Sequence, residues 1–311
     1  YVKKLSGATL IITHECYASS IEGGKILIGR ASTSDIVGAF AAHYPDVLPE
    51  ESDTENDCVA YAVRGDTLVI SGSNDRSVYY SVCHLLQTEF GVGFYWDRDV
   101  FEKKRSLSLP DGLTLQERSE FKMRHTIGQW VYNYGAFLNE AERREELDKY
   151  ARNKINSYRL YSWNSYARKK TFIELGLTGI EITAEDIVRR DMVRDSIEYA
   201  QSLGMEVMVP LIPDETTLEF RALYPNARYF GCEWVKDDNA APQTIPCLYP
   251  EDPMYKTFIQ TFVKVWIEAY GPTSNFVCCP PAEHHISTGV EDFINININY
   301  SKYTYEALHE L

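Results

Sequence analysis

Glu283 is the residue of this sequence best placed for acid–base chemistry. It follows the apolar run 276–279 and the pair Pro280-Pro281, a spacing that puts it just beyond the end of a predicted strand. In a (β/α)8 barrel, reacting groups lie at such strand ends. A carboxylic acid held there can protonate a departing oxygen, and with a second carboxylate about 5–10 Å away it can cleave a glycosidic bond. The alternative is a solvated loop charge.

Five more residues are candidates for sugar contacts. Arg124 could hold two hydroxyls or a carboxylate with paired hydrogen bonds, or could instead form a structural salt bridge. Glu233 could accept hydrogen bonds from hydroxyls, or could be a solvated charge in the long loop predicted after the third strand of the second half. Trp130, Trp163 and Trp234 lie at or beyond the ends of presumed strands or in that long loop, where rings can stack on sugar faces, although buried tryptophan usually fills a core.

Metal and thiol chemistry are disfavoured. His284 and His285 follow Glu283 directly, but neighbours in an extended chain point to opposite sides and no HExxH spacing is present. Cys278 and Cys279 are adjacent in an apolar run, where buried thiols are inert. The sequence therefore predicts no metal and no cofactor.

The composition excludes several classes of protein. The chain has 311 residues, 44% hydrophobic and 24% charged, as in a folded globular protein with room for large cores. A net charge of −14 would repel nucleic acid and anionic lipid, so neither is an expected partner. No apolar run approaches the roughly 18 residues of a membrane span, which predicts no membrane insertion. The composition leaves the oligomeric state open.

The first 110 or so residues have the pattern of a small α+β layer. Strands are predicted at 8–12, 25–29, 58–63 and 67–71, and helices at 34–43 and 76–89. The sequence Pro110-Asp111-Gly112 then opens a predicted linker that reaches about Ser119.

From about residue 120, strands and helices alternate. Strands are predicted at 123–130, 157–163, 206–211 and 275–279, with helices at 140–153, 185–202 and 254–269 between them. Alternating units of this kind predict a parallel sheet, either open or closed as a barrel. Residues 294–300 alternate strictly between apolar and polar, which favours a half-buried strand where a barrel would have a helix.

Two stretches of the first half resemble a known domain. The helix sequence DRSVYYSVCHLL at 75–86 and GVGFYW at 91–96 are similar to the small α/β domain that precedes the barrel in exo-acting glycoside hydrolases. Hexosaminidase-like, α-glucuronidase-like and α-N-acetylglucosaminidase-like enzymes share that domain, and LVISG at 68–72 resembles its I-x-I-x-G strand. The resemblance implies an N-terminal domain over 1–115.

The second half resembles the start of the barrel in the α-N-acetylglucosaminidase-like group. The similar pieces are FKMRH at 121–125, NKIN at 153–156, LYPNA at 223–227, EW at 233–234 and DPM at 252–254. This resemblance implies a (β/α)8 (TIM) barrel domain over 120–311. Because a closed barrel takes about 250 residues, only its first half is expected here, and the chain is expected to be a fragment.

The resemblance also implies a function. It predicts an exo-acting, retaining glycoside hydrolase with a carbohydrate substrate, acting on oligosaccharide, polysaccharide or glycan chains, with Glu283 as general acid/base. Such enzymes have Asn-Glu or Asp-Glu where this chain has Ala282-Glu283, which counts against a mechanism assisted by an N-acetyl group. Two alternatives stay open: a non-catalytic carbohydrate-binding or scaffolding protein, and a uronic-acid-directed enzyme that would use Arg124. The start at Tyr1 favours a secreted or periplasmic protein if a signal peptide was removed.

Overall fold

The computed structural model describes residues 1–20, 22–125, 139–159, 165–211, 215–234, 243–273, 275–278, 285–286 and 290–311. The described residues divide into two compact units. The first is drawn from 1–128, 135–158 and 199–206, and the second from 129–134, 159–198 and 207–311.

The first unit is built on a four-stranded sheet. Its strands, in the spatial order β1-β3-β2-β6, are β1 (Lys25–Ile28), β3 (Thr67–Gly72), β2 (Cys58–Arg64) and β6 (Thr114–Arg118). β1 runs parallel to β3, and the other pairs are antiparallel. The remaining elements up to residue 152 are α1 (Val2–Ser6), a 3-10 helix (Glu15–Ser20), α2 (Asp35–His43), α3 (Asp75–Thr88), β4 (Gly93–Phe94), β5 (Asp99–Val100) and α4 (Glu140–Arg152).

Helix α3 covers one face of this sheet. It begins with a capping box, in which the Asn74 side chain accepts from the Ser77 N–H and the Ser77 hydroxyl accepts from the Asn74 N–H. Its Leu85 packs in a core with Tyr61 and Ile70 of the sheet. The central strand β2 is buried from Cys58 to Val63, which explains its continuous apolar sequence.

The close contact between α3 and β3 leaves no room for a side chain at Gly72. A Cβ there would lie 2.5 Å from Ser77 Oγ and 2.6 Å from the Ser77 carbonyl carbon. We expect Gly72→Ala to lower the free energy of unfolding by about 2–3 kcal/mol, measured by urea denaturation. Gly65→Ala is the control, because a Cβ at Gly65 meets nothing within 4 Å and only its φ of 58° opposes the change, at about 1 kcal/mol. Equal losses for the two variants would contradict the prediction.

The chain then enters a region of parallel strands. The elements are β7 (Ser157–Arg159), α5 (Ser165–Glu174), α6 (Ala184–Ser202), β8 (Glu206–Leu211), α7 (Leu218–Leu223), β9 (Tyr229–Trp234), β10 (Gln243–Leu248), α8 (Pro253–Tyr270), β11 (Asn275–Cys278), β12 (His285–Ile286) and α9 (Val290–His309). β7, β8 and β11 form one sheet in the order β11-β8-β7, and β10, β9 and β12 form an antiparallel sheet in the order β10-β9-β12.

The parallel strands follow one another in chain order. His125 forms an isolated parallel bridge with Ser157, and the Glu206 N–H donates to the Asn156 carbonyl, so β8 begins beside β7. Further along, β8 pairs in parallel with β11, with Met208 opposite Asn275. Such pairing needs crossover connections, which the helices between the strands supply.

Helix α8 supplies much of the core of the second unit. Its buried face carries Tyr255, Phe258 and Ile259, which pack with Leu211 of β8 and Tyr300 of α9. The helical spacing of these residues in the sequence predicted this face correctly.

Three predictions of secondary structure are wrong. Residues 294–300 belong to helix α9, because burial follows a helical period through Ile296 and Tyr300, while Ile294 and Ile298 are exposed. The predicted strand at 8–12 has no regular structure, and its two isoleucines are more than 90% exposed. Part of the predicted linker, 114–118, is the edge strand β6, paired with β2.

The chain is therefore a mixed α/β protein with small sheets. The strands among the described residues form sheets of two to four strands and no closed barrel. Most of the strand predicted at 123–130 and the end of that at 157–163 lie outside the described residues. Within the described part of the chain, no helix is both long and apolar enough to span a bilayer.

Candidate active site

Five of the six sequence-predicted site residues fall into two groups. Glu283, Trp130 and Trp163 lie outside the described residues. Glu233 and Trp234 are the last residues of strand β9, which forms where the sequence predicted a loop. The described residues nearest to Glu283 in the sequence are those of strands β11 and β12, which flank it.

Strand β12 connects the Glu283 segment to strand β9. His285, two residues after Glu283 in the sequence, is the Cα partner of Glu233, and Ile286 is the partner of Cys232. Partners in an antiparallel pair have Cα atoms about 4.5–5.5 Å apart. The backbone at Glu233 therefore lies beside the chain that leaves the Glu283 segment, a proximity that sequence spacing did not reveal.

Strand β10 connects strand β9 to the chain that follows β8. Thr244 of β10 is the partner of Glu233, and at the other end of the strand Cys247 forms an isolated antiparallel bridge with Glu215. The N–H and hydroxyl of Thr216 both donate to the Pro246 carbonyl, at 2.9 and 2.6 Å. The segments that follow the carboxyl ends of β8 and β11 are thus linked through the three-stranded sheet.

Glu215 is a buried carboxylate that the sequence analysis did not select. It is only 7% exposed, and Arg168 of α5 reaches it with two donors. Nη1 of Arg168 donates to Oε2 of Glu215 at 3.2 Å, and Nη2 donates to the Glu215 carbonyl oxygen at 2.9 Å. Its position four residues after the predicted strand 206–211 was a usable signal, because the same strand-end criterion selected Glu283.

A second carboxylate, Asp186, holds the first turn of α5. It accepts from the Ser165 hydroxyl at 2.5 Å, from Lys169 Nζ at 2.7 Å and from the Thr183 N–H at 2.8 Å. Burial acts to raise the pKa of Asp186, but hydrogen bonds from Lys169 and Ser165 outweigh it and hold that pKa well below its usual value. Helix α5 therefore begins from a fixed position directly after the segment 160–164, which contains Trp163.

Arg124 belongs to a buried polar cluster in the first unit. Its guanidinium pairs with Asp57, which also accepts from Arg76 Nε at 2.9 Å, from Asn74 Nδ2 at 2.8 Å and from Asn156 Nδ2 at 3.2 Å. Burial acts to raise the pKa of Asp57, but hydrogen bonds from Arg124 and Asn74 outweigh it and lower that pKa.

The other contacts of Arg124 are also internal. Its Nε donates to the Lys154 carbonyl at 2.7 Å and its Nη1 to the Phe121 carbonyl at 2.8 Å, and the side chain is 17% exposed. The structural salt bridge, one of the two alternatives for this residue, is thus present. The sugar contact at Arg124 stays a prediction.

Metal-ligating side chains do not converge in the described part of the chain. Among those residues, no group of three histidine, cysteine, aspartate or glutamate side chains could hold a metal ion.

Comparison with solved structures identifies proteins of similar fold, which comparison of sequences does not. Neither a protein-family model nor a curated protein matches this chain. A family 89 glycoside hydrolase from Clostridium perfringens, in complex with PUGNAc, aligns over 84% of this chain with a TM-score of 0.65 and 16% identity. The chain has a hexosaminidase-like glycoside hydrolase fold.

Two further structures have the same fold. The family 89 enzyme from Clostridium perfringens, with two glutamates replaced by glutamine and in complex with its substrate GlcNAc-α-1,4-galactose, aligns over 88% of this chain (TM-score 0.65, 15% identity). The family 20 β-N-acetylhexosaminidase from Streptomyces coelicolor aligns over 98% (TM-score 0.52, 16% identity). This chain spans 33–35% of the length of the family 89 structures and 56% of that of the family 20 structure.

Proposed function

We propose that the protein is an exo-acting, retaining glycoside hydrolase with Glu283 as its general acid/base. The observation that carries the proposal is the hexosaminidase-like fold, with a TM-score of 0.65 over 84% of the chain. We further propose that 1–115 is the N-terminal α/β domain of such enzymes and that 120–311 is the first half of a (β/α)8 barrel. The parallel strands β7, β8 and β11 support the barrel, since they lie side by side in chain order.

The position of Glu283 after strand β11 supports its proposed role, and the pairing of β9 with β12 supports that of Glu233. Glu283 is five residues after the end of β11, so it follows the carboxyl end of a parallel strand, where barrel enzymes carry their reacting groups. Glu233 is opposite His285 and is proposed to accept hydrogen bonds from sugar hydroxyls. Trp130, Trp163 and Trp234 are proposed to stack on the sugar, and Arg124 to contact it.

The substrate is proposed to be a chain that ends in an N-acetylated amino sugar. Two of the similar structures hold GlcNAc-α-1,4-galactose or PUGNAc, and a third is a β-N-acetylhexosaminidase. Ala282 occupies the position where an acid would hold the acetamido group, which favours an enzyme carboxylate as nucleophile over assistance by the substrate.

The test is hydrolysis by the purified chain of 4-nitrophenyl α- and β-N-acetylglucosaminides and of the matching glucosides and glucuronides. We expect release of nitrophenol from one N-acetylglucosaminide, with the anomeric configuration retained in the first product seen by proton NMR. No release from any substrate would overturn the proposed activity. Release with inversion would overturn the retaining mechanism alone.

A non-catalytic carbohydrate-binding protein is the second candidate, and Ala282 is the observation that favours it. A chain that lacks the polar neighbour of Glu283 would bind the sugar without cleaving it. This function predicts heat of binding for N-acetylglucosamine disaccharides in calorimetry, together with no hydrolysis of any of the glycosides above.

A further inference from the structure

We propose that Arg168 is a positioning residue for this site and that it acts through Glu215. The proposal rests on the proposed function, because the segments that it would position are those that flank Glu283 and Glu233. A chain of contacts within the second unit runs from α5 through β10 and β9 to β12.

Glu215 is fixed by both its backbone and its side chain. Its backbone bridges to Cys247, which is fully buried, and the next residue, Thr216, donates twice to Pro246. Its carboxylate is taken out of water, which is favourable only if a cation or several donors compensate for the lost hydration. Arg168 supplies the cation and one donor to this carboxylate, and a second donor to the backbone carbonyl oxygen of the same residue.

The bridge at Cys247 transmits the position of Glu215 to the proposed sugar contacts. Cys247 is the partner of Phe230 in β9, and both side chains pack with Ile296 of α9 in one small core. Three residues further along β9, Glu233 is paired with His285. A shift of the chain at Glu215 would therefore move the strand that carries Glu233 and the strand that follows Glu283.

Arg168 is itself held in place, so it can act as a fixed point. It lies in the first turn of α5, and its neighbours in that turn, Ser165 and Lys169, are bonded to Asp186. The guanidinium fork serves two acceptors of one residue, which the point charge of a lysine cannot reproduce. The ion pair of Arg168 with Glu215 thus joins the chain after β7 to the chain after β8.

The test compares Arg168→Gln and Arg168→Lys with Lys170→Gln. Lys170 is the matched control, because it lies on the same helix and forms an ion pair with the partly exposed Glu174. We expect Arg168→Gln to lower kcat about 10–100-fold with KM changed less than threefold, since small misplacements of catalytic groups have effects of this size. The kcat of Arg168→Lys should lie between those of the wild type and Arg168→Gln. Lys170→Gln should match the wild type in kcat and KM.

A double-mutant cycle separates positioning from general stability. The combination of Arg168→Gln with Glu215→Gln should lower kcat no further than the worse single variant, because both act through one contact. A purely structural role would lower the urea midpoint and leave kcat per folded molecule within twofold of the wild type. That result, or additive losses in the double variant, would overturn the proposal.

Hydrogen exchange provides a readout that does not depend on turnover. Arg168→Gln should speed amide exchange in β9, β10 and β12 at least tenfold and leave the middle of α8 unchanged. Unchanged exchange in the three strands would overturn the positioning role. If the wild type hydrolyses no glycoside, the proposed function fails, but the exchange result still decides whether Arg168 positions these strands.

Discussion

Replacement of Glu283 by glutamine is expected to lower kcat for the hydrolysed glycoside by about 10²–10⁴-fold. The amide is nearly isosteric with the acid but cannot protonate the departing oxygen, and general acid catalysis contributes about this factor. The loss should be largest for substrates with poor leaving groups, such as phenyl glycosides. Dinitrophenyl glycosides need little protonation of the leaving group, so their cleavage step should be much less impaired. The measurement is kcat/KM across this leaving-group series.

The control for Glu283 is Glu291→Gln. Glu291 is an exposed glutamate in the first turn of α9, so the same change of charge is made eight residues along the sequence at an exposed position. It should keep kcat and KM within twofold of the wild type. Equal losses in the two variants, or a Glu283→Gln protein that hydrolyses poor leaving groups at the wild-type rate, would remove Glu283 from the mechanism.

Asp57→Asn is expected to lower the free energy of unfolding by about 3–5 kcal/mol. Asp57 is 3% exposed, and its carboxylate is the shared acceptor of Arg76 and Arg124, so an amide there leaves two guanidinium groups without their counter-charge. Loss of one partner from a buried ion pair typically has a cost of about this size. Urea denaturation at pH 7 is the measurement. Asp53→Asn, in the exposed part of the preceding loop, should change stability by less than about 0.5 kcal/mol.

The same carboxylate predicts a pH dependence of stability. Because the pKa of Asp57 is lowered in the folded protein, its contribution is complete above the unfolded pKa of about 3.9 and is lost as the pH falls below that value. The wild type should therefore lose its advantage over Asp57→Asn progressively as the pH falls below about 4. An advantage that stays constant over this range would contradict the lowered pKa.

The sequence predicted local structure correctly where the pattern of apolar residues lies within a single helix or strand. Helix α8 was recognisable because its buried aromatic residues recur at helical spacing, and β2 and β3 because apolar runs flank the turn at Gly65. In α9 the alternation of isoleucine and asparagine suggested a strand, but tertiary packing selects the face through Ile296 and Tyr300. Local patterns give the wrong period when apolar residues also occupy an exposed face.

The candidate site was less predictable, because it depends on pairings between distant segments. A two-residue strand such as β12 has no periodicity of its own, and its pairing with Glu233 joins positions 52 residues apart. The Arg168 and Glu215 pair likewise spans 47 residues. The type and position of Arg124 left a sugar contact and a structural salt bridge open, and its partner Asp57 lies 67 residues earlier and gives no local sign of the pairing.

The buried cluster around Asp57 has a consequence for the order in which the protein folds during synthesis. The acceptor of this cluster, Asp57, is translated early, whereas the donor Asn156 is translated 99 residues later. Contacts of such long sequence separation form slowly, because the intervening chain must be ordered first. A nascent chain that ended near residue 115 would have Asn74 and Arg76 but would lack Arg124 and Asn156. The first sheet can therefore gain its full stability only after part of the following strand-and-helix region has been made.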